Sequence, residues 1–436
     1  MMKLSKLSLV IALTFLQVQS INAQPSWHTL ENSPFLSGRH DDIFFIDPQV
    51  GWIVNIRGEV YKTTDGGLTW GQPVFSEPST AFRSVGFADS LHGWAGSLAG
   101  DLLWQTSDGG IDWTPVSTYT GPKLEGICGI SVVSDSVIYA VGRYDGTPVL
   151  VKSLNGGQTW IGSTMNHVAQ TLVDIHFFTP DSGFAVGGGV TGEFPQTVSA
   201  VVLFTEDGGN NWVVRHATER AGEWCWKISF TTRQTGVVSI ERNGFTLGSQ
   251  HTLRTTDGGV SWEEVTVGSG FRIQGVGMIT ESLGWAGGGP QTYETTDGGV
   301  TWQVADFDLN NVNRFRFFGD TLAYAVGKKV YKYSAQTPTA VSHRRKTIPE
   351  NFRLEQNYPN PFNPTTTIAY LLNQTTQVRL RIFNISGKTV KTLVSDAKPA
   401  GRHEVSFDGA RLASGVYYYR LEAGDFVDSK KMILIK

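Results

Sequence analysis

The chain has 436 residues, with 36 Lys and Arg against 39 Asp and Glu and a net charge of −3. Such a balance excludes a dedicated nucleic-acid binder, which would carry a basic surplus. Two cysteines and nine histidines, none at ligand spacing, exclude a disulfide scaffold and point to no metal site. Fifty glycines, 11% aromatic residues and no helical periodicity predict an all-β protein of more than one domain.

Residues 1–23 have the form of a secretory signal peptide. Lys3 and Lys6 precede an apolar run from Leu7 to Leu16, and Ile21-Asn22-Ala23 ends on a small residue, placing cleavage before Gln24. The run is too short to span a bilayer, and no cysteine follows it to carry a lipid.

A repeat then organises residues 24–333. The pattern Ser/Thr-x-Asp-Gly-Gly-x-x-Trp occurs at Thr63 to Trp70, Thr106 to Trp113, Ser153 to Trp160, Thr205 to Trp212, Thr255 to Trp262 and Thr295 to Trp302. Its key position is held by Asp65, Asp108, Asn155, Asp207, Asp257 and Asp297, at intervals of 43, 47, 52, 50 and 40 residues. A period of about 40–50 residues suits one four-stranded propeller blade. Each residue has a mechanical role. Gly-Gly supplies the positive φ of a tight hairpin turn, the Asp and Ser/Thr oxygens accept backbone N–H groups of that turn, and the Trp offers a large apolar face to bury between units. One carboxylate per turn is too few for calcium.

A second motif, Gly-aromatic-small-Val-Gly, precedes each box, as in Gly93-Trp94-Ala95-Gly96 and Gly183-Phe184-Ala185-Val186-Gly187. With the degraded copy Gly236-Val237-Val238 it occurs seven times against six boxes. The last unit ends at Val330-Tyr331-Lys332-Tyr333 without a box, and Ser26-Trp27-His28-Thr29-Leu30 looks like the strand that follows one. A ring of seven blades is expected, its last blade completed by the N-terminal strand.

These residues resemble the Asp-box (BNR-type) repeat of sialidase-like propellers and, within that superfamily, the photosystem II stability/assembly factor-like group. The enzymatic relatives imply an arginine cluster, a Tyr nucleophile with Glu and an Asp acid/base. No Tyr-Glu constellation can be assigned from spacing, and sialidases imply six blades.

Residues 334–350 are polar, Pro-containing and basic around His343-Arg344-Arg345-Lys346, as a linker would be. In 351–436, Val378, Leu380 and Ile382 alternate with Arg379 and Arg381, and further strand signals follow at Val405 to Phe407 and Gly415 to Leu421. They predict a small immunoglobulin-like β-sandwich. Asn357 to Pro364, Asn384-Ile385-Ser386-Gly387, Leu412 to Tyr417 and the closing Lys430 to Lys436 resemble the type A C-terminal sorting domain of the type IX secretion system. The resemblance implies export through that machinery as partner, removal of the tail, and release or outer-membrane surface attachment.

The channel mouth, where the first strand of each blade begins, is the expected binding surface. Arg39, Arg83, Glu125, Glu223, Trp224, Trp226, Arg272 and Arg314 are the candidate ligand residues, since aromatic side chains beside Arg and Glu suit sugars or peptides. Strand alternation would instead bury Trp224 and Trp226 between blades. The insertions 143–148, 190–199 and 241–250, polar and Gly-rich, are read as plain surface loops, with a lid or rim over the mouth as the alternative. Cys128 and Cys225 fall on non-adjacent blades, so no disulfide is expected, and no cofactor is implied. The leading expectation is a non-catalytic module binding a protein, peptide or glycan; the alternatives are a sialidase-like hydrolase and a structural envelope protein.

Overall fold

The computed structural model describes residues 25–142, 146–190, 195–242, 248–270, 272–307, 309–335, 352–354, 356–357, 360–385, 387–398, 401–424 and 426–435. The expected signal peptide, most of the expected linker and parts of the three insertions lie outside them. The chain divides into two compact units, Met1–Thr339 and Ala340–Lys436. Every regular element among the described residues is a β-strand, and no helix is long and apolar enough to cross a membrane.

The first unit is a seven-bladed propeller. Its sheets, in chain order, begin at the inner strands His40–Phe45, Phe82–Phe87, Gly129–Val132, Thr171–Phe177, Glu223–Phe230, Gly275–Met278 and Arg314–Phe318, which we number blades 1 to 7. Each runs outward as an antiparallel meander. Blade 3 gains a fifth strand, because Tyr119–Thr120 pairs in parallel with the outer strand at Trp160 and Ile161. Blade 7 takes its outer strand from the N-terminus: Ser26–Thr29 pairs with Val330–Ser334 in the register Ser26↔Ser334 to Thr29↔Tyr331. The ring is thereby closed by backbone hydrogen bonds between the two ends of the unit, which complete blade 7 at its outer edge.

The box turns show why the repeat has its composition. In blade 1 the Thr63 hydroxyl donates to Asp65 Oδ1 (2.8 Å) and accepts the Gly67 N–H (3.0 Å), while Asp65 accepts the Thr69 N–H (3.0 Å) and hydroxyl (2.6 Å). The same bonds recur in blade 6 around Thr295, Asp297 and Thr301. Both box glycines are left-handed, Gly66 at φ 69° and Gly67 at φ 83°, where a side chain would be strained. Donated bonds, first from the Ser261 or Thr301 hydroxyl, hold the Asp257 and Asp297 carboxyls down at about 2. All six box tryptophans are buried, from Trp160 at 0% to Trp302 at 9% exposed.

Blades are joined by ring stacking and by a repeated cationic contact. Phe45 stacks on Tyr324 at 3.8 Å, Trp52 on Phe87 at 3.6 Å and Tyr139 on Phe177 at 3.7 Å, each pair from neighbouring blades. On odd-numbered blades a third-strand cation donates to the first box-glycine carbonyl of the next blade that has one. Lys62 reaches Gly109 (2.8 Å), Lys152 reaches Gly208 (3.1 Å), Arg254 reaches Gly298 (3.1 Å) and Lys332 reaches Gly66 (3.1 Å). The turn that shapes one blade is thus a docking point for its neighbour.

The second unit is a sandwich of a three-stranded sheet and a four-stranded one. The predicted alternation holds in Thr376–Asn384, where Val378, Leu380 and Ile382 are buried, and they join Phe362, Tyr370, Phe407 and Tyr419 in one core. Asn357 of the Pro-rich lead-in donates its N–H to the Tyr419 hydroxyl (2.7 Å) and its side-chain amide to Thr366 (3.0 Å). That lead-in therefore anchors the sheets instead of continuing one.

Candidate functional site: an arginine-lined channel mouth

Inner strands start at one end of the propeller, and the boxes lie at the other. Four inner strands are broken by a β-bulge near their start: between His40 and Asp42, Phe82 and Ser84, Leu172 and Asp174, and Cys225 and Ile228. A bulge adds a residue and re-aims side chains. Regular alternation would turn Asp41 and Asp42 to opposite faces; with the bulge both meet arginines of the channel.

The side chains so gathered close the channel. Arg314 of blade 7 grips Asp174 of blade 4 with two bonds of 2.8 Å and donates Nε to Asp42 of blade 1 at 3.0 Å. Asp42 also accepts the Val85 N–H at 3.1 Å, and Asp174 the Ile228 N–H at 3.1 Å, so each carboxylate ties two neighbouring inner strands together. Arg316 adds a bond to the Ile43 carbonyl at 2.8 Å. Burial by itself raises the Asp174 carboxyl, but Arg314 and Lys227 outweigh it and bring it down to about 2. Bidentate arginine pairs of this kind are geometrically exacting, and here they span the ring.

Above this layer lies a cavity of about 590 Å³ bordered by Arg39, Asp41, Arg83, Arg272, Gln274 and Asn311. Arg39 and Arg83 both hold Asp41, and Arg39 also bonds Gln274. Their guanidinium groups lie 5.3 and 5.1 Å from the ring centre of Trp226, whose Nε1 donates to Asn313 at 2.6 Å. Glu241 is engaged by Gln274 and lies 3.5 Å from Arg272, and burial raises its carboxyl. Arg272 is the most exposed of these arginines, its side chain 39% accessible.

The eight candidates of the sequence therefore separate. Arg39, Arg83 and Arg272 meet at one cavity, and Trp226 lies beneath two of them. Trp224 and Trp226 are 2% and 4% exposed and pack with Val173 and Val198, so neither is an open platform: alternation and the bulge bury both. Arg314 is not available to a ligand either, being consumed by Asp42 and Asp174. Glu223 is buried against Arg220 at 2.8 Å, and Glu125, half-buried, takes the Thr147 N–H at 3.4 Å. Neither carboxylate borders the cavity. Cys128 and Cys225 are free and buried. A second cavity, of about 440 Å³, opens between the outer strands of blades 6 and 7 beside Trp27, Glu294 and Phe307, and none of the eight reaches it. Among the described residues no group of three His, Cys, Asp or Glu could hold a metal.

Sequence reasoning missed Asp42, Asp174, Gln274 and Asn313. A signal was present for the two aspartates. Asp42-Ile43-Phe44-Phe45 and Asp174-Ile175-His176-Phe177 put a carboxylate at the same place in an otherwise apolar inner strand, and a charge there needs a partner.

Fold and mouth together define an Asp-box-type seven-bladed propeller with a plugged, arginine-lined channel, joined to a β-sandwich tail. Residues 356–436 match the family model of the secretion system C-terminal sorting domain, and residues 20–126 that of photosynthesis system II assembly factor YCF48. The chain thus joins a YCF48-like propeller to a secretion sorting domain. It is 31% identical to the photosystem II assembly lipoprotein Ycf48 of Synechocystis sp. over 135 residues, covering 31% of this chain and 39% of that protein. To the Ycf48 lipoprotein of Picosynechococcus sp. it is 25% identical over 226 residues, covering 51% and 60%. These matches span less than two thirds of either relative. Similar solved structures include YCF48 bound to D1 peptide, with a TM-score of 0.52 and 20% identity over 71% of this chain and 96% of that one. An ancestral GH74 enzyme also reaches a TM-score of 0.52, at 15% identity over 91% of this chain and 59% of that one. At such identities the shared property is the fold.

Proposed function

We propose that this protein is a secreted or surface-attached binding module whose propeller takes an extended peptide, or a segment of a partner protein, at the arginine-lined mouth. The observation that carries this reading is the cavity where Arg39, Arg83 and Arg272 converge over the edge of a closed channel. Planar guanidinium groups recognise carboxylates and backbone carbonyls in a fixed geometry, and a plug behind them gives a ligand a floor. Residues 1–23 would direct Sec export, and the sorting domain would pass the chain through the type IX machinery.

Binding is favoured over glycoside hydrolysis by the state of the carboxylates. Cleavage needs two that face the same bond. Asp41 and Glu241, which reach the mouth, are both buried and held by arginine or amide groups. The D1 peptide bound in the similar YCF48 structure supports a peptide as the class without identifying it here.

A peptide array of outer-membrane and periplasmic sequences, probed with the purified chain at two salt concentrations, tests the reading. Acidic segments or free C-termini should be retained, with binding weaker at high ionic strength. Retention of glycans with release of shortened products, and none of peptides, would overturn it. Removing residues 351–436 should leave the propeller folded and confined to the periplasm; export of that truncated chain would contradict the role given to the tail.

A further inference from the structure

Below the mouth the channel carries more buried cation than its carboxylates balance. Arg39 and Arg83 share Asp41 and face Glu241, and Arg314 and Arg316 share Asp42, Arg314 also taking Asp174, which leaves Lys227 as the cation without a carboxylate of its own. Lys227, on the bulge of blade 5, is 1% exposed, and its Nζ has no hydrogen-bond partner in the protein. Arg83 Nε is likewise buried without a partner. The groups facing Lys227 come from around the ring: Arg314 of blade 7, Asp174 of blade 4, Asp42 of blade 1, Arg83 of blade 2 and the Cys128 thiol of blade 3. Both aspartates are already engaged by Arg314 and by backbone N–H groups.

An ammonium enclosed in this way is costly unless something balances it. Arginine does not release its proton. The imbalance can be relieved by Lys227 losing a proton, by the Cys128 thiol losing one, or by an anion entering; burial pushes the Cys128 thiol up despite Arg83 and Lys227, which disfavours the second.

We propose that the channel core beneath the mouth binds one small monovalent anion, of halide size, on Lys227 Nζ and Arg83 Nε. Deprotonation alone would leave Arg83 Nε without an acceptor, since its neighbour Cys128 is held as a protonated thiol, whereas an anion satisfies both donors and the charge. Its path from solvent is the mouth cavity, which Arg83 and Asp41 border. Burial and Arg314 bring the Lys227 ammonium down to about 7, against the pull of Asp174 and Asp42. An anion at Nζ opposes that shift, so uptake of the anion is coupled to uptake of a proton and weakens as pH rises through that value. The site is internal, and its occupancy is read with the mouth unliganded.

Crystals of the full chain grown with bromide in place of chloride test this directly. An anomalous peak within hydrogen-bond distance of Lys227 Nζ is expected; bromide only at surface positions, or none, overturns the proposal. In solution at fixed ionic strength, exchanging gluconate for bromide at pH 6 should raise Tm by about 2 °C, with the rise vanishing at pH 9. In Lys227→Met the bromide effect should disappear. An undiminished effect in that variant would place the anion elsewhere, and if the variant does not fold, the anomalous map of the unaltered protein decides.

Discussion

The two ends of the propeller are built on opposite logics. At the box end the same few bonds recur blade after blade, all of them local. Thr295, Asp297, Gly299 and Thr301 satisfy one another within a single turn. At the mouth the blades contribute different side chains, the equivalent Asp42 and Asp174 excepted, and the bonds cross the ring: Arg314 finds Asp174 at a separation of 140 residues and Asp42 at 272. Repetition shapes the scaffold, and its loss marks where a ligand would be read.

The largest effect is expected where the scaffold repeat is buried. Trp160→Ala should cost about 3–5 kcal/mol in denaturant unfolding, since the ring is fully enclosed and its Nε1 is bonded to the Gly157 carbonyl at 3.1 Å. A cost below about 1 kcal/mol would mean that the box Trp does not join blades. Asp174→Ala should cost a comparable ~3–5 kcal/mol, because it takes from the buried Arg314 its two-bond partner and leaves Asp42 alone to balance it. If the mouth were merely decorated surface, that substitution would be nearly silent.

Acid should act on the channel before the boxes. Burial lowers His40 and His176 to about 4. A histidine whose folded pKa is depressed contributes stability that is present above its unfolded value near 6.5 and is lost as pH falls towards 4. Each should contribute a slope of up to about 1.4 kcal/mol per pH unit in that window. Asp174 and the box aspartates Asp257 and Asp297, held at about 2, should weaken the fold only at lower pH, as pH falls from near 4 through their own values. His176→Phe, which keeps the stack on Phe230 at 5.4 Å, should roughly halve the slope between pH 6.5 and 4. An unchanged slope would remove His176 from the account.

A smaller effect is expected from one box bond. Thr255→Val removes the hydroxyl that accepts the Gly259 N–H at 2.9 Å and should cost about 1–2 kcal/mol, read from the shift in unfolding midpoint.

The scaffold was legible in the sequence because its causes are local. Asp-Gly-Gly and the following Trp act within one turn, so six copies and the surplus strand at Trp27 were enough to count blades and close the ring. The sandwich was legible from the alternation of Val378, Leu380 and Ile382. The mouth was legible only in part. Arg39, Arg83 and Arg272 border one cavity, whereas Arg314, Trp224 and Trp226 are internal. Two physical reasons account for the difference: bulges break the alternation that would assign a face to each residue, and the partners of a buried charge lie on blades far away in sequence. The odd-blade cations Lys62, Lys152, Arg254 and Lys332 passed unnoticed because their acceptor is a neighbour's backbone.

The measurement that bears most directly on a mouth that reads and a box end that supports is a peptide-binding titration of three proteins. They are the unaltered chain, the double variant Arg39→Glu with Arg272→Glu, and Val260→Glu, which places a charge on an exposed box tip (63% accessible). The account predicts at least a tenfold loss, about 1.4 kcal/mol, for the double variant and none for Val260→Glu. Equal loss in both, or loss at the box tip alone, would contradict it.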